Sequence, residues 1–256
     1  MSRKTSRAKR IFWTLVVVLA TGWAGASVAA AQQFSDFITP TPLPEGHTLV
    51  IGFLGGIQPW DNEKEGTRRL ALKLRGMNLP GVHVETVENA RRRLALELIE
   101  KAFDRNRDGR LDENERAAAH LVVYGQSFGG AAVVKLAREL EARGVLVLLT
   151  IQVDSVGRGD ALIPPNVRRA ANLYQNDGLL IRGEPEIRAA DSAKTEILGN
   201  FRFSYREKEV DMSGVPWHQR LFRDAHAKMC NDPDVWAKVE ELILQALRED
   251  PAPTRP

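Results

Sequence analysis

The stretch from Leu121 to Leu136 reads LVVYGQSFGGAAVVKL. Its first four residues are apolar or aromatic and predict a buried strand, and the residues after Gly130 predict a helix. Ser127 lies between them, at the centre of the pattern G-x-S-x-G. The bare pattern is common, but its place between a strand and a helix predicts a sharp turn that exposes the serine hydroxyl. Ser127 is therefore the candidate nucleophile.

Working outward, strand-like and helix-like segments alternate along the chain. Apolar runs predict strands at Thr48–Leu54, Val82–Val87, Leu121–Tyr124 and Val145–Val153. Amphipathic patterns predict helices from Asp61 or Asn62 through Met77, from Glu88 to Phe103, and from the serine turn to about Arg143. This alternation predicts an α/β fold with a mostly parallel, doubly wound sheet flanked by helices.

The last hundred residues give weaker signals. Short strands are predicted at Ala171–Gln175 and Glu196–Phe203, and a final amphipathic helix at Val235–Arg248. The proline-rich residues 250–256 predict a disordered tail.

Residues 1–31 have the composition of a secretory signal peptide. Five basic residues and no acidic ones lie among the first ten, an apolar run follows from Ile11 to Ala20, and Ala29, Ala30 and Ala31 precede Gln32. This order predicts export, with a secreted or periplasmic product. The alternative is an uncleaved membrane anchor, because residues 11–31 could just span a bilayer.

The net charge and the cysteine content limit the partners and the cross-links that this chain can have. Loss of residues 1–31 changes the formal net charge from +3 to −2, because it removes five basic residues and no acidic ones. The remainder has no basic cluster interleaved with aromatic residues, which argues against nucleic acid as a partner. Cys230 is the only cysteine, so an internal disulfide is excluded and packing, with or without a metal, must stabilise the fold. Nothing in the sequence fixes the oligomeric state.

A serine nucleophile needs a base and an acid. Asp154 ends an apolar strand, at the rim of a parallel sheet where ligands bind. The two histidines that follow Asp154, His226 and His218, are the candidates for the base. The alternatives for the acid are Asp177, Asp191 and Asp211.

The site also needs donors for the oxyanion. The backbone N–H of Phe128, at the start of a helix, is the first candidate. The second is the N–H of Phe53 or Leu54, since the sequence GFLGG follows an apolar strand. A tight glycine turn without a catalytic role is the alternative interpretation of GFLGG.

From Leu49 to Leu247 the sequence resembles the α/β-hydrolase fold, in particular its small secreted lipase-like and esterase-like members. The resemblance depends on residues 121–136 and on LTIQVDSV at residues 149–156. It implies an α/β-hydrolase domain over residues 32–249, with Ser127 as nucleophile, Asp154 as acid and His226 as base. It also implies a small-molecule or lipid substrate with a carboxylic ester or thioester bond. The first antiparallel strands and a lid are not evident, which leaves the substrate class open.

Residues 104–115, DRNRDGRLDENE, fit the pattern D-x-[DN]-x-[DN]-G-x5-E and resemble an EF-hand loop. Calcium takes six or more oxygen ligands. The spacing supplies them from the side chains of Asp104, Asn106, Asp108 and Asp112, the carbonyl of Arg110 and a bidentate Glu115. The sequence thus predicts a structural Ca²⁺ ahead of the strand that leads to Ser127.

Two alternatives follow from the calcium pattern. The loop could be a polar connection that binds no ion. The whole chain could also be a non-catalytic calcium-binding or ligand-binding module on the same scaffold.

Overall fold

A parallel sheet is the centre of the computed structural model, which describes residues 31–178, 181–215 and 225–250. The described residues from Gln32 onward make one compact unit. Its six strands are β1 (Thr48–Leu54), β2 (Val82–Glu88), β3 (His120–Gln126), β4 (Val147–Val153), β6 (Val167–Tyr174) and β8 (Glu196–Arg202). Two short strands, β5 (Leu162–Ile163) and β7 (Arg188–Ala189), pair separately. Nearly all of the predicted signal segment, the tail after Asp250 and His218 lie outside the described residues.

The strand order is β2-β1-β3-β4-β6-β8, and every neighbouring pair is parallel. From β1 the chain moves outward to β2 on one side and then to β3 and the later strands on the other. The order reverses between β1 and β3, and ligands of such sheets bind outside the carboxyl ends of the strands at this switch point. The fold class predicted from the sequence, a mostly parallel doubly wound sheet flanked by helices, is confirmed.

Helices cover both faces of the sheet. They are α1 (Gly66–Gly76), α2 (Arg92–Phe103), α3 (Glu113–Ala118), α4 (Phe128–Glu141) and α5 (Pro233–Glu249), with a further helical segment at residues 225–231, called here the histidine helix. Alternate residues of β1 face opposite layers: Ile51 packs with α2 and α4, whereas Val50 packs with α1 and α5. Among the residues that the model describes, no helix is both long and apolar enough to cross a bilayer.

Three predicted boundaries differ from the structure by more than two residues. Helix α2 begins at Arg92 rather than at Glu88, because Glu88 is the last residue of β2 and Asn89–Arg91 form a short 3-10 helix. The first helix begins at Gly66 rather than at Asp61 or Asn62, because the preceding residues form successive turns, with Asn62 N bonding to Pro59 O and Glu65 N to Asn62 O. Strand β6 begins four residues earlier than the predicted strand at Ala171. Its buried Arg169 forms ion pairs with Glu249 and Asp250 at the end of α5. Arg169 interrupts the apolar pattern without ending the strand, because acidic residues far away in sequence neutralise its charge.

Candidate active site

Ser127 lies at a strained turn between β3 and α4. Its backbone has φ 57° and ψ −121°, a conformation that costs a non-glycine residue of the order of 1–3 kcal/mol. Neighbouring backbone groups hold it: Ser127 N bonds to Val153 O at 2.9 Å, and Ser127 O accepts from Gly130 N and Val156 N at 3.0 and 3.1 Å. The strain is thus fixed at the carboxyl edge of the sheet, beside the switch point.

The glycines around Ser127 allow the turn to pack against the sheet. A Cβ atom at Gly129 would lie 2.2 Å from the carbonyl oxygen of Phe53, and one at Gly125 would lie 2.5 Å from that of Gly129. Both distances are well below van der Waals contact, so only glycine fits at either position. The G-x-S-x-G pattern therefore has a steric cause at both of its ends.

His226, on the histidine helix, lies between Ser127 and Asp154. Its Nε2 is 3.1 Å from Ser127 Oγ, and its Nδ1 is 2.5 Å from Asp154 Oδ2. A carboxylate accepts only, so Nδ1 carries the proton in the neutral ring and Nε2 is free to accept from the serine hydroxyl. The structure therefore brings together the three residues that the sequence named as nucleophile, base and acid.

Asp154 is fully buried immediately after β4. Beyond His226, its carboxylate accepts from the side-chain Nε2 of Gln175 at 2.9 Å and from the backbone N of Gln175 at 3.3 Å. Gly183 closes over it, since a Cβ there would lie 2.1 Å from Oδ1. These donors offset the cost of removing a carboxylate from water.

Sequence reasoning missed Gln175. It follows β6 directly, and its side chain also accepts from Gly178 N and donates to Ile181 O. β6 is next to β4 in the sheet, and Asp154 follows β4. The position of Gln175 after β6 was therefore the signal that could have placed it near Asp154, because the carboxyl ends of adjacent parallel strands lie together.

The predicted oxyanion donors lie in different settings. Phe128 is the first residue of α4, where a backbone N–H has no partner within the helix. Phe53 and Leu54 end β1, and Phe53 pairs with residues of both neighbouring strands, Val87 and Gly125. Gly55, the next residue, lies beside Ser127, since a Cβ there would lie 3.1 Å from Ser127 Cβ. The assignment of Phe53 or Leu54 as second donor stays a prediction, and Gly55 joins them as a candidate.

Gln126 is a second residue that the sequence pattern did not single out. It is the last residue of β3, and its buried side-chain Nε2 lies 3.5 Å from His226 Nε2. Its Oε1 would be only 2.4 Å from a Cβ placed on Gly55. The amide therefore lies between the histidine and the loop after β1, alongside the Ser127 hydroxyl.

The alternative acids have other partners. Asp177 accepts from Ser204 Oγ and Tyr205 N, and it forms ion pairs with Arg202 and Arg206. The hydrogen bond from Tyr205 N–H lowers the pKa of Asp177 below its ordinary value. Asp191 and Asp211 accept from backbone N–H groups two residues later. None of these contacts involves His226, whereas Asp154 bonds to it directly.

The carboxylates of the loop at residues 104–115 accept hydrogen bonds from backbone N–H groups of the same loop. Asp104 accepts from Asp108 N and Gly109 N at 3.2 and 2.9 Å, and Glu115 accepts from three backbone N–H groups of the loop. Within the described ranges, no three His, Cys, Asp or Glu side chains are grouped so that they could hold a metal ion. Helix α3, which follows the loop, has six residues. Calcium binding by Asp104, Asn106, Asp108, Arg110, Asp112 and Glu115 stays a prediction.

No protein-family model matches this chain, and no curated protein matches it either. Similar solved structures include dienelactone hydrolase from Anabaena variabilis, with 12% identity over 81% of this chain and 88% of that one, at a TM-score of 0.41. The type II thioesterase BorB of the borrelidin biosynthetic cluster has 12% identity over 85% of this chain and 97% of that one, at a TM-score of 0.39. Esterase B from Lactobacillus rhamnosis, an inhibited form, has 12% identity over 96% of both chains, at 0.38. A likeness in fold does not fix a reaction or a substrate, so the site is interpreted from its own geometry.

Proposed function

We propose that this chain is a serine hydrolase that cleaves a carboxylic ester or thioester through an acyl-enzyme. Ser127 is the nucleophile, His226 the general base and Asp154 the acid that orients it. The observation that carries the proposal is the continuous hydrogen-bonded path from Ser127 Oγ through His226 to the buried Asp154. The substrate is a small-molecule or lipid ester that binds at the carboxyl edge of the sheet.

In the acylation half of the reaction, Ser127 Oγ attacks the carbonyl carbon while its proton moves to His226 Nε2. The imidazolium is stabilised by Asp154, which stays ionised and bonds to Nδ1–H. The carbonyl oxygen becomes an oxyanion, which accepts from the N–H of Phe128 and from a backbone N–H of the loop after β1. Collapse of the tetrahedral intermediate expels the alcohol or thiol, which takes the proton from Nε2.

Deacylation repeats these steps with water as the nucleophile. His226 Nε2 takes a proton from water, the hydroxide oxygen attacks the acyl carbon, and the second tetrahedral intermediate collapses. Ser127 Oγ leaves, recovers the proton from the imidazolium, and the carboxylic acid is released. The strained turn at Ser127 and the buried Asp154 keep the three side chains in place throughout, so little reorganisation is needed.

Export and calcium binding are separate parts of the proposal, and both are supported by sequence alone. Residues 1–31 direct the chain to a secreted or periplasmic location, and mass spectrometry of the mature protein tests this through its N-terminal residue. Residues 104–115 bind Ca²⁺ in a structural role, remote from the reacting atoms because the loop precedes the start of β3.

Ester hydrolysis by matched variants tests the catalytic proposal. The substrates are p-nitrophenyl esters and acyl thioesters with short and long acyl chains. We expect Ser127→Ala and His226→Gln to lose at least about 10³-fold in kcat, and Asp154→Asn to lose about 10² to 10⁴-fold. Asp177→Asn is the control, because it changes an acid outside the path, and it should stay within about twofold.

The rival function is a non-catalytic module that binds a ligand or calcium on the same scaffold. It would be favoured if folded Ser127→Ala hydrolysed every substrate as fast as the wild-type protein, or if neither protein exceeded the rate in buffer. Circular dichroism of each variant shows that a loss of rate is not a loss of fold.

A further inference from the structure

Glu65 has an unusual place next to the candidate site. It is the residue before α1, yet its side chain makes no hydrogen bond to the N–H groups of that helix. Its Oε2 instead lies 3.3 Å from the sulfur of Cys230, which donates to it. A partly buried carboxylate is thus turned from its own helix toward the histidine helix.

The thiol that donates to Glu65 lies on the same helix as His226. Cys230 and His226 are four positions apart on the histidine helix, so their side chains lie on the same face. Burial, and then the charge of Glu65, raise the pKa of the Cys230 thiol well above its ordinary value. The thiol therefore stays protonated at neutral pH and remains a hydrogen-bond donor.

The start of α1 and the histidine helix are closely packed through Trp236. The carbonyl of Cys230 accepts from Trp236 Nε1 at 2.7 Å. Gly66 packs against the same indole, since a Cβ there would lie 2.1 Å from the ring. A shift of Glu65 would therefore be transmitted to the helix that carries His226.

Glu65 and His226 also attract each other, more weakly than Glu65 interacts with Cys230 or Arg69. Burial raises the pKa of Glu65, and the Cys230 hydrogen bond, Arg69 and His226 partly offset this. Arg69, on α1, is the nearby cation. The imidazole therefore has two carboxylates in its surroundings, Asp154 in direct contact and Glu65 at longer range.

We propose that Glu65 is a positioning residue of the candidate hydrolase, which anchors the histidine helix through Cys230 and supplies a second negative charge to the imidazolium. This inference rests on the proposed function. The imidazolium forms when Ser127 loses its proton, so a nearby carboxylate stabilises the transition state. Glu65 acts through His226, and a change in it should therefore alter kcat and the pH profile rather than KM.

Three variants separate the effect of the Glu65 charge from that of the hydrogen bond to Cys230. Glu65→Gln is nearly isosteric and keeps an acceptor for the thiol, but it removes the charge. Cys230→Ala removes the donor and keeps the charge, whereas Cys230→Ser retains a donor. Glu63→Gln is the matched control, because Glu63 is an exposed acid on the same loop.

The readouts are the pH dependence of kcat and kcat/KM, and titration of the His226 imidazole by NMR. We expect Glu65→Gln to lower kcat about three- to tenfold with KM unchanged. Its acid limb and the His226 resonance should move about 0.3 to 1 pH unit lower, since loss of a nearby negative charge disfavours the protonated ring. Cys230→Ala should lower kcat without this pH shift. Cys230→Ser should restore kcat, because serine keeps a hydrogen-bond donor.

Glu65→Gln with the same pH profile and the same His226 titration as Glu63→Gln would overturn the inference. A shift seen in both variants would overturn it too, because it would reflect overall charge. If the wild-type protein hydrolyses no ester, the proposed function fails, and the NMR titration still decides whether Glu65 acts on His226. If Glu65→Gln does not fold, Cys230→Ala and Cys230→Ser decide the anchoring role.

Discussion

Gln175 donates hydrogen bonds to both oxygens of the Asp154 carboxylate, from its side-chain Nε2 at 2.9 Å and from its backbone N at 3.3 Å. Both residues are fully buried. The carboxylate that orients His226 is therefore itself oriented by the residue that follows β6, the strand next to β4 in the sheet. Gln175 also bonds to Gly178 N and Ile181 O, so it joins the acid to these two residues as well.

Replacement of Gln175 should affect both stability and rate. Gln175→Leu leaves a buried carboxylate with fewer donors, so we expect the free energy of unfolding to fall by about 1–3 kcal/mol. We expect kcat to fall about tenfold or more as Asp154 loses its orientation. Urea unfolding and ester hydrolysis measure the two effects. Gln245→Leu, at an exposed glutamine of α5, should change the free energy of unfolding by no more than about 0.5 kcal/mol.

The close packing at Gly129 gives a steric test of the turn. Gly129→Ala would place a methyl group 2.2 Å from the carbonyl oxygen of Phe53, so the turn must move away from β1. We expect a loss of about 1–3 kcal/mol in unfolding free energy together with loss of hydrolysis. Gly76→Ala, at the end of α1, is the control because a Cβ there meets no atom within 4 Å. Equal stability of the two variants would show that the turn is looser than described.

Calcium should act on stability rather than on chemistry. We expect Ca²⁺ at millimolar concentration to raise the melting temperature and EDTA to reverse the effect, since an ion that binds only the folded state stabilises it. Asp104→Asn with Glu115→Gln should abolish the response and leave the rate per folded molecule unchanged. Identical melting curves with and without Ca²⁺ would contradict the calcium prediction, as would a response that survives in the double variant.

The carboxylate of Asp177 should make the stability of the fold depend on pH. Its pKa is lowered in the folded state, chiefly by the hydrogen bond from Tyr205 N–H, so its ionised form stabilises the fold. That contribution is present above the unfolded pKa of about 4 and is lost as pH falls through the lower folded value. We expect Asp177→Asn to lower the free energy of unfolding by about 1 kcal/mol at pH 7, and by progressively less as pH falls below about 4. A cost that stays the same down to acid pH would show that the charge is not responsible.

Local sequence predicted the elements that carry the nucleophile and the acid. β4 ends at the predicted residue, Val153, directly before Asp154, and the turn at Ser127 follows from glycines and apolar residues that adjoin it in sequence. His226 was predictable only from the order of residues along the chain. Its distance from Ser127, 99 positions away, depends on how the last helices pack.

The residues that support the site were not predictable in the same way. Gln175 lies 21 positions from Asp154, and no spacing rule connects a glutamine after one strand with an aspartate after its neighbour. Glu65 was hidden because Asp61 and Asn62 are the more typical residues at the start of a helix. These contacts arise from tertiary packing, which a pattern of apolar and polar residues does not encode.

The most direct test of the central claim is intact-mass and peptide mass spectrometry after treatment with a fluorophosphonate. We expect one covalent adduct per chain, on the peptide that contains Ser127, with no adduct in Ser127→Ala and much slower labelling in His226→Gln. Such a result requires a serine that is activated by its histidine. A folded wild-type protein that stays unlabelled, or that is labelled equally in Ser127→Ala, would contradict the account.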